Sequence, residues 1–365
     1  MNEVLISGYY GFKNSGDDAL LRAITNDLKK YKRDVQIVVL SRNPKETTAV
    51  YGVKAINRMN LFSVLWALFR CRMVISGGGT LIQDGTSTKS LLYYLTIISA
   101  AKLFGKKVML YSNGIGPLKD ENIPRTRRVL NRVDLITLRD PMSYDALYAI
   151  GVSDPDIRLT ADPAFALEAA DGAQARRILE GAGVPAGKKL LGICVRPWRG
   201  LSADFARTVA KSVDYAAEKY GFYPVFLPMQ QQKDTALARQ IMDKLQTQGC
   251  LLQADMEIPA LLSVFGEMTL CIGMRLHSLI YAAAQEVPVI GLVYDPKITG
   301  VMDYMEQRRY LPAENLAPGQ LEKLIDGCME QYDQCRAELK KNVALLREKA
   351  EENARFAVEL LDKEC

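Results

Sequence analysis

The alternation of short apolar segments with segments of helical length constrains the fold more than any other feature of this sequence. It runs in two series, the first from residue 4 and the second after the small-residue stretch 169–189. Apolar strands joined by helical crossovers form parallel sheets with helices on both faces. The predicted strands are 4–7, 36–40, 73–76, 107–111 and 135–138 in the first series, and 190–195, 223–227, 269–272 and 287–293 in the second.

The two series predict two domains, because 365 residues exceed what one hydrophobic core usually holds. We expect two Rossmann-like, doubly wound α/β domains, 1–168 and 169–335, facing a central cleft. Parallel sheets bind ligands at the carboxyl ends of their strands, so functional residues should follow strands directly. A charged helical stretch at 336–365 either packs back on the first domain or covers the second, and the sequence leaves both open.

Charge and cysteine usage limit the partners and the compartment. The net charge of +5 suits an anionic substrate or an anionic membrane surface and is too small for a nucleic-acid partner. Seven cysteines without metal-ligand spacing indicate a reduced, cytoplasmic setting and predict no metal site and no cofactor. The sequence enters a strand without a secretory signal pattern, and the longest apolar helix candidate, 60–69, is about half as long as a bilayer requires. We therefore expect a protein that is neither secreted nor transmembrane.

Two glycine-bearing segments follow predicted strands of the first domain. In GYYGFKNSGDD, Asn14 and Asp17 either contact a ligand near the free N–H groups of a helix or form the turn and helix cap. Gly78 and Gly79 belong to a run of three glycines that would let a bulky ligand approach the strand end. Asp84 follows, where a carboxylate could accept a proton from a sugar hydroxyl or could cap a helix.

Two further polar positions follow strands of the first domain. Asn113 belongs to the polar segment NGIGP after the strand 107–111. Arg139 follows the strand 135–138, where a guanidinium can hold a carboxylate or phosphate through two hydrogen bonds. The alternative for Arg139 is an ion pair with Asp140 or with another neighbour.

The strongest local pattern is GMRLHS, immediately after a predicted strand of the second domain. It contains Arg275 and His277, the one histidine of the sequence. An imidazole titrates in the range that proton transfer near neutral pH requires, although a lone histidine is often structural. Arg196 and Lys297 follow two other strands of the same predicted sheet. Cations at several strand ends predict a substrate rich in negative charge.

These segments carry a resemblance to a known family. In order along residues 4–300, the sequence contains GYYGFKNSGDDAL, VISGGGTLIQD, SNGIGP, LRD, ADPAF, GMRLHSLIYA and VPVIGLVYDPK. The chain resembles the polysaccharide pyruvyl transferase family, and GMRLHS followed by YDPK is the most specific part. It is most similar to the bacterial branch that pyruvylates the secondary cell-wall polymer anchoring surface-layer proteins.

The resemblance implies a GT-B-like fold and an enzyme that uses phosphoenolpyruvate as donor. The implied acceptor is a β-linked N-acetylmannosamine on a lipid-linked cell-wall polysaccharide precursor, and the implied products are a 4,6-ketal and phosphate. On this resemblance His277 supplies a proton, Asp84 acts near the acceptor, and the donor is bound by Arg139, Arg275, Leu276 and Lys297. The predicted acceptor or loop contacts are Gly78, Gly79, Asn14, Asp17 and Asn113.

Two other functions stay open at this point. A nucleotide-sugar glycosyltransferase of GT-B fold would use the same basic loops for a diphosphate, and fold alone does not separate the two. A non-catalytic glycan-binding protein would bind without turnover. The segment 61–72 is either a core helix or a contact with the inner surface of the cell membrane, where a lipid-linked acceptor would lie.

Overall fold

The computed structural model describes residues 3–253 and 256–363 and divides the chain into two compact units. Unit 1 comprises Met1–Ala166 with Leu346–Cys365, and unit 2 comprises Leu167–Leu345. Each unit contains one parallel sheet whose successive strands are joined mostly by helices, so each is α/β. Within the described ranges, no helix is both long and apolar enough to span a bilayer.

Unit 1 is built on a seven-stranded sheet with parallel neighbours throughout. In chain order its elements are β1 Glu3–Tyr10, α1 Ser15–Tyr31, β2 Gln36–Ser41, α2 Pro44–Tyr51, β3 Lys54–Asn57, α3 Leu61–Arg70, β4 Met73–Ile82, α4 Thr88–Leu103, β5 Lys107–Ile115, α5 Ile123–Leu130, β6 Leu135–Leu138, α6 Pro141–Ala149 and β7 Asp156–Leu159. The strand order is β3-β2-β1-β4-β5-β6-β7, so the chain reverses its progress across the sheet between β1 and β4.

Unit 2 is built on a six-stranded parallel sheet. Its elements are α7 Gly172–Gly181, β8 Lys189–Cys194, α8 Phe205–Tyr220, β9 Phe222–Phe226, α9 Gln231–Met242, β10 Cys250–Leu251, α10 Ile258–Gly266, β11 Leu270–Gly273, α11 Leu276–Ala284, β12 Val289–Val293, α12 Pro296–Tyr304, β13 Tyr310–Pro312, α13 Gln320–Glu330 and the start of α14 Tyr332–Asp362. The strand order is β10-β9-β8-β11-β12-β13, with the reversal between β8 and β11.

The second half of α14 supplies part of the core of unit 1. Ala354 and Leu361 are fully buried in the hydrophobic cluster on one face of the unit 1 sheet. The buried Asn353 side-chain oxygen accepts hydrogen bonds from the hydroxyls of Thr137 (2.5 Å) and Thr160 (2.8 Å). The division between the two units therefore falls inside a continuous helix, beyond the predicted domain end at residue 335.

Two strands of unit 1 are longer than predicted. β4 continues through the glycine run, with a register irregularity between Gly79 and Ile82, and β5 continues to Ile115. The prediction that Gly78, Gly79 and Asn113 lie in loops after these strands is therefore wrong, since all three lie within strands. Gly78 and Gly79 adopt φ values of +62° and +75°, which glycine tolerates, so the strand bulges instead of ending.

Candidate functional site

The carboxyl ends of β1 and β4 lie side by side where the strand order of unit 1 reverses, the usual ligand-binding edge of a doubly wound sheet. Side chains of the same unit occupy the space along the glycine run. The Tyr10 hydroxyl donates to the Gly77 carbonyl (2.7 Å), and a Cβ on Gly77 would lie 2.5 Å from that hydroxyl oxygen. A Cβ on Gly78 would lie 2.9 Å from Leu20 of α1. The glycines thus let Tyr10 and α1 approach the strand, a role that requires no ligand.

Asn14, Asp17 and Gly79 are brought together at the start of α1. Asn14 occupies the N-cap position, but its side-chain amide donates to the Asp17 carboxylate and does not cap the helix. A Cβ on Gly79 would lie 3.5 Å from the same carboxylate. Burial raises the pKa of the next residue, Asp18, to about 6. Two carboxyl groups in the first turn make this helix start a weaker anion site than the sequence alone suggests.

A cation that the sequence does not predict lies at this edge of unit 1. Arg58 directly follows β3, and its guanidinium donates to the Gly8 carbonyl (3.1 Å). The same guanidinium lies 4.2 Å from the ring centre of Tyr93, 5.5 Å from that of Phe12 and 5.6 Å from that of Tyr94, within cation–π range. β3 has no apolar run, so nothing in the sequence indicates that Arg58 follows a strand.

Asp84 anchors the segment between β5 and α5. One carboxylate oxygen accepts the Lys119 main-chain N–H (2.9 Å), and the other accepts the Asn122 side-chain amide (2.6 Å). The predicted alternative, a helix cap, is wrong, because Ser87 caps the following helix α4. Asp84 is only 2% exposed, so a substrate hydroxyl reaches it only if one of these donors moves away. Its role as a base stays a prediction.

Asn113 is fully buried within β5. Its side-chain nitrogen donates to the main-chain carbonyls of Ser76 (2.9 Å) and Tyr111 (3.1 Å). Its side-chain oxygen is buried and has no hydrogen-bond partner among the described residues. A buried acceptor of this kind is usually satisfied by water or a ligand. The contact of Asn113 with an acceptor substrate stays a prediction.

Arg139 is buried at the carboxyl end of β6. Its Nε donates to the Asp140 carboxylate (3.2 Å), one terminal nitrogen donates to Thr80 (2.8 Å), and the other lies 3.7 Å from the Asp162 carboxylate. A Cβ on Gly114 would lie 2.7 Å from the guanidinium, so glycine is needed there. The structure shows the ion pair with Asp140 that was the alternative for Arg139. Its contact with a donor substrate stays a prediction.

In unit 2 the strand order reverses between β8 and β11, and an arginine follows each of these strands. Arg275, after β11, donates to both oxygens of Asp234, through Nε at 3.1 Å and through a terminal nitrogen. Asp234 is fully buried and also accepts the main-chain N–H groups of Met229 (3.1 Å) and Gln230 (2.9 Å). Asp234, which no local sequence pattern predicts as a site residue, therefore fixes the Arg275 guanidinium against the loop after β9.

His277 lies in the first turn of α11 and is half-buried, with its ring centre 5.9 Å from that of Tyr281. A Cβ on Gly273 would lie 2.7 Å from the Ser278 hydroxyl, so the glycine lets α11 begin directly over the strand end. The Leu276 side chain is buried, which leaves its main-chain N–H as the group that could face a ligand at the helix start.

Arg196 and Lys297 share one aromatic ring. A terminal nitrogen of Arg196 donates to the Tyr294 hydroxyl (2.8 Å), and the guanidinium lies 4.8 Å from the Tyr294 ring centre and 5.6 Å from that of Trp198. Lys297 Nζ lies 5.4 Å from the Tyr294 ring centre and 3.3 Å from the Asp295 carboxylate. The Arg196 Nε is buried and has no hydrogen-bond partner in the described part of the chain. Neutral groups thus position Arg196 while one strong donor is left for a ligand.

Three cations follow three adjacent strands of unit 2. Arg196, Arg275 and Lys297 come after β8, β11 and β12, which are neighbours in the sheet. Asp234 and Asp295 balance two of these charges, so Arg196 contributes most of the unbalanced positive charge. This edge can hold an anion through fixed donors.

The described residues contain no group of three or more His, Cys, Asp or Glu side chains that could hold a metal ion. The six cysteines among them are free and buried. Cys365 lies outside the described residues.

Sequence comparison identifies a family. The chain matches the family described as polysaccharide pyruvyl transferase over residues 14–296, a range that includes every predicted site residue except Lys297. Comparison with curated protein sequences gives no significant match.

Solved structures share the fold at low sequence identity. HepE from Anabaena, in complex with UDP and glucose, superposes with a TM-score of 0.68 at 12% identity over 99% of each chain. The UDP-GlcNAc 2-epimerase from Neisseria meningitidis, bound to UDP-GlcNAc, gives 0.63 at 12% identity over 100% of each chain. A glycosyltransferase from Rickettsia africae gives 0.62 at 12% identity, again over 100% of each chain. At this identity the likeness shows the fold alone, and it confirms the expected GT-B-like α/β class.

Proposed function

The chain belongs to the polysaccharide pyruvyl transferase family, and on that premise we propose that it transfers the pyruvyl group of phosphoenolpyruvate to a lipid-linked cell-wall polysaccharide precursor. The proposed acceptor is β-N-acetylmannosamine, in a polymer of the kind that anchors surface-layer proteins, and the proposed product is its 4,6-ketal. The proposed setting is the cytoplasm, at the inner face of the cell membrane.

The observation that carries the donor assignment is the row of cations after β8, β11 and β12. Phosphoenolpyruvate has a phosphate and a carboxylate, so two or three fixed cations suit it. Arg196 offers a buried, unpartnered Nε, and Asp234 holds Arg275 rigidly. Lys297 adds a more mobile positive charge beside Tyr294. Fixed cations of this kind stabilise the charge on departing phosphate without reorganising.

The proposed reaction forms two C–O bonds at one carbon. His277 donates a proton to C3 of the enol, so that C3 becomes a methyl group and C2 an oxocarbenium-like electrophile. One sugar hydroxyl attacks C2, the bond from C2 to the phosphate oxygen breaks, and the second hydroxyl closes the ring. Of the two protons that the hydroxyls lose, one restores His277 and the other leaves with inorganic phosphate. Asp84 is the proposed, untested base for the first hydroxyl.

A second candidate is a nucleotide-sugar glycosyltransferase, which the UDP-bound structures of similar fold favour. The leaving group separates the two functions. We expect incubation with phosphoenolpyruvate and a synthetic N-acetylmannosaminyl lipid to release phosphate and to add a pyruvyl ketal to the lipid, as measured by mass. Release of a nucleoside diphosphate from a nucleotide sugar, with no turnover of phosphoenolpyruvate, would establish the glycosyltransferase instead.

Two variants and one control test the proposed roles. His277→Gln should lower kcat by about 100-fold or more while the affinity for phosphoenolpyruvate stays within a few-fold, because proton transfer is lost and the cations remain.

Arg196→Gln should raise the KM for phosphoenolpyruvate by about 10- to 100-fold, because one charge-assisted hydrogen bond to the donor is lost. The matched control is Arg207→Gln, because Arg207 lies on the surface of α8 in the same unit. Activity within a few-fold of wild type in His277→Gln would refute the assignment of the acid.

A further inference from the structure

One face of α3 exposes large apolar side chains to solvent. Phe62 is 86% exposed, Phe69 62% and Trp66 60%, and Leu61 and Leu65 lie on the same face. We call these five residues the α3 surface. At roughly 200 Å² per large side chain, their exposed fractions amount to about 600 Å² of apolar area. Monomeric soluble proteins rarely leave a larger patch uncovered, and such patches usually mark binding sites.

The opposite face of α3 fixes the orientation of the helix. Val64, Ala67 and Leu68 are buried in the core of unit 1. The two interpretations of the segment 61–72 therefore describe two faces of one helix. Because the buried face holds the helix in place, the exposed face is a fixed feature of the fold.

Cations border the α3 surface. Lys106 Nζ donates to the Phe69 carbonyl (2.8 Å) and lies 5.9 Å from the Phe69 ring centre. Two residues before Lys106, Phe104 is 41% exposed, so the turn after α4 extends the apolar area. Arg70 ends α3 with its side chain 40% exposed and its Nε 4.0 Å from the Glu3 carboxylate, and Arg72 follows it.

The charge of the surrounding sequence is strongly one-sided. Residues 47–119 contain nine lysines and arginines and a single carboxylate, Asp84, which is buried. The whole chain has a net charge of only +5, so its positive excess is concentrated in this segment. Apolar side chains next to an excess of cations are the combination that binds an interface of anionic lipid headgroups.

We propose that the α3 surface docks unit 1 onto an anionic lipid membrane. Phe62, Trp66 and Phe69 would enter the boundary between headgroups and acyl chains, while Lys106 and Arg70 meet the headgroup phosphates. A second copy of the chain is a poorer occupant, because a two-fold contact would place two positive surfaces face to face. The proposal deepens the proposed function by assigning the surface that would hold the chain at the membrane, and its test needs no substrate, so it can fail independently of pyruvyl transfer.

The test is co-sedimentation of the full chain with lipid vesicles. We expect binding to vesicles of phosphatidylcholine and phosphatidylglycerol in equal parts, weaker binding at high salt, and little binding to phosphatidylcholine alone. Phe62→Ser/Trp66→Ser should weaken binding by at least about tenfold, and Lys106→Gln by about fivefold. The matched control is Tyr148→Ser/Leu345→Ser, which replaces two exposed apolar residues elsewhere.

Trp66 provides a readout that does not depend on those variants folding. The chain has two tryptophans, so Trp198→Phe leaves Trp66 as the only tryptophan, which can be excited selectively at the red edge of the absorption band. Its fluorescence should shift to the blue on addition of the mixed vesicles. An unshifted spectrum without sedimentation overturns the proposal, as does equal binding to neutral vesicles. A dimer in light scattering that Phe62→Ser/Trp66→Ser converts to monomer would assign the surface to a second copy.

Discussion

Replacing Asp234 with asparagine would test how unit 2 fixes the arginine after β11. The Asp234 carboxylate is fully buried and accepts hydrogen bonds from two main-chain N–H groups and from two nitrogens of Arg275. Asparagine keeps the shape but replaces one acceptor oxygen with an NH₂ group and removes the charge. The Arg275 guanidinium then faces a donor in a largely buried position.

The size of the effect follows from the burial of the pair. Removing one partner of a buried ion pair costs about 3–5 kcal/mol of unfolding free energy. The Arg275 side chain is 11% exposed, so water replaces part of the lost interaction and we expect about 3 kcal/mol. In the double variant Asp234→Asn/Arg275→Met no unpaired charge remains, so its cost should fall below the sum of the single variants by about 2 kcal/mol.

The distribution of tryptophans allows unit 2 to be followed separately. Trp66 belongs to unit 1 and Trp198 to unit 2, so in a Trp66→Phe background the fluorescence change in urea reports unit 2. Asp204→Asn is the matched control, because Asp204 is an exposed partner of Arg207 in the same unit. If the proposed function holds, Asp234→Asn should also raise the KM for phosphoenolpyruvate more than it lowers kcat. Destabilisation no larger than that of the control, or single effects that add within about 0.5 kcal/mol, would refute the reasoning.

Two further predictions concern unit 1. Burial raises the pKa of Asp27 to about 7, so the folded state favours the protonated carboxyl and loses stability as the pH rises from about 4 through 7. Asp27→Asn should therefore raise the unfolding free energy at pH 8 by up to about 4 kcal/mol and change it little at pH 4, as urea unfolding at both values would show. Gly114→Ala should cost about 1–3 kcal/mol, because its Cβ would lie 2.7 Å from the Arg139 guanidinium. Gly327→Ala, where the Cβ meets open space, is its control, and equal melting temperatures of the two variants would contradict the clash.

The central strands could be predicted from the sequence, whereas the edge strands could not. β1, β4 and β8 are buried on both faces, so their apolar runs stand out. β3 is half-exposed and has no run of apolar residues, and β10 is only two residues long. The glycine run of β4 shows a second reason why the sequence does not predict where a strand ends. Whether a strand ends or bulges there depends on the approach of Tyr10 and α1, which no local pattern encodes.

Site residues that follow a strand could be predicted from the sequence, whereas site residues that meet only in the folded structure could not. Arg275, His277 and Lys297 could be proposed because each directly follows a strand or begins the next helix. Asp234 lies inside α9, 41 residues before Arg275, and the two meet only because β9, β8 and β11 are neighbouring strands. Arg58 could not be predicted as a site residue either, because its aromatic partners come from distant segments of the chain.

The position of α14 has a consequence for biosynthesis. Asn353, Ala354 and Leu361 complete the interior of a sheet whose strands were all synthesised before residue 160. A ribosome therefore releases every strand of unit 2 before unit 1 has its full set of buried side chains. Part of the apolar surface of the first sheet therefore stays exposed until residues 346–361 have been synthesised, and an exposed apolar surface of this kind promotes aggregation.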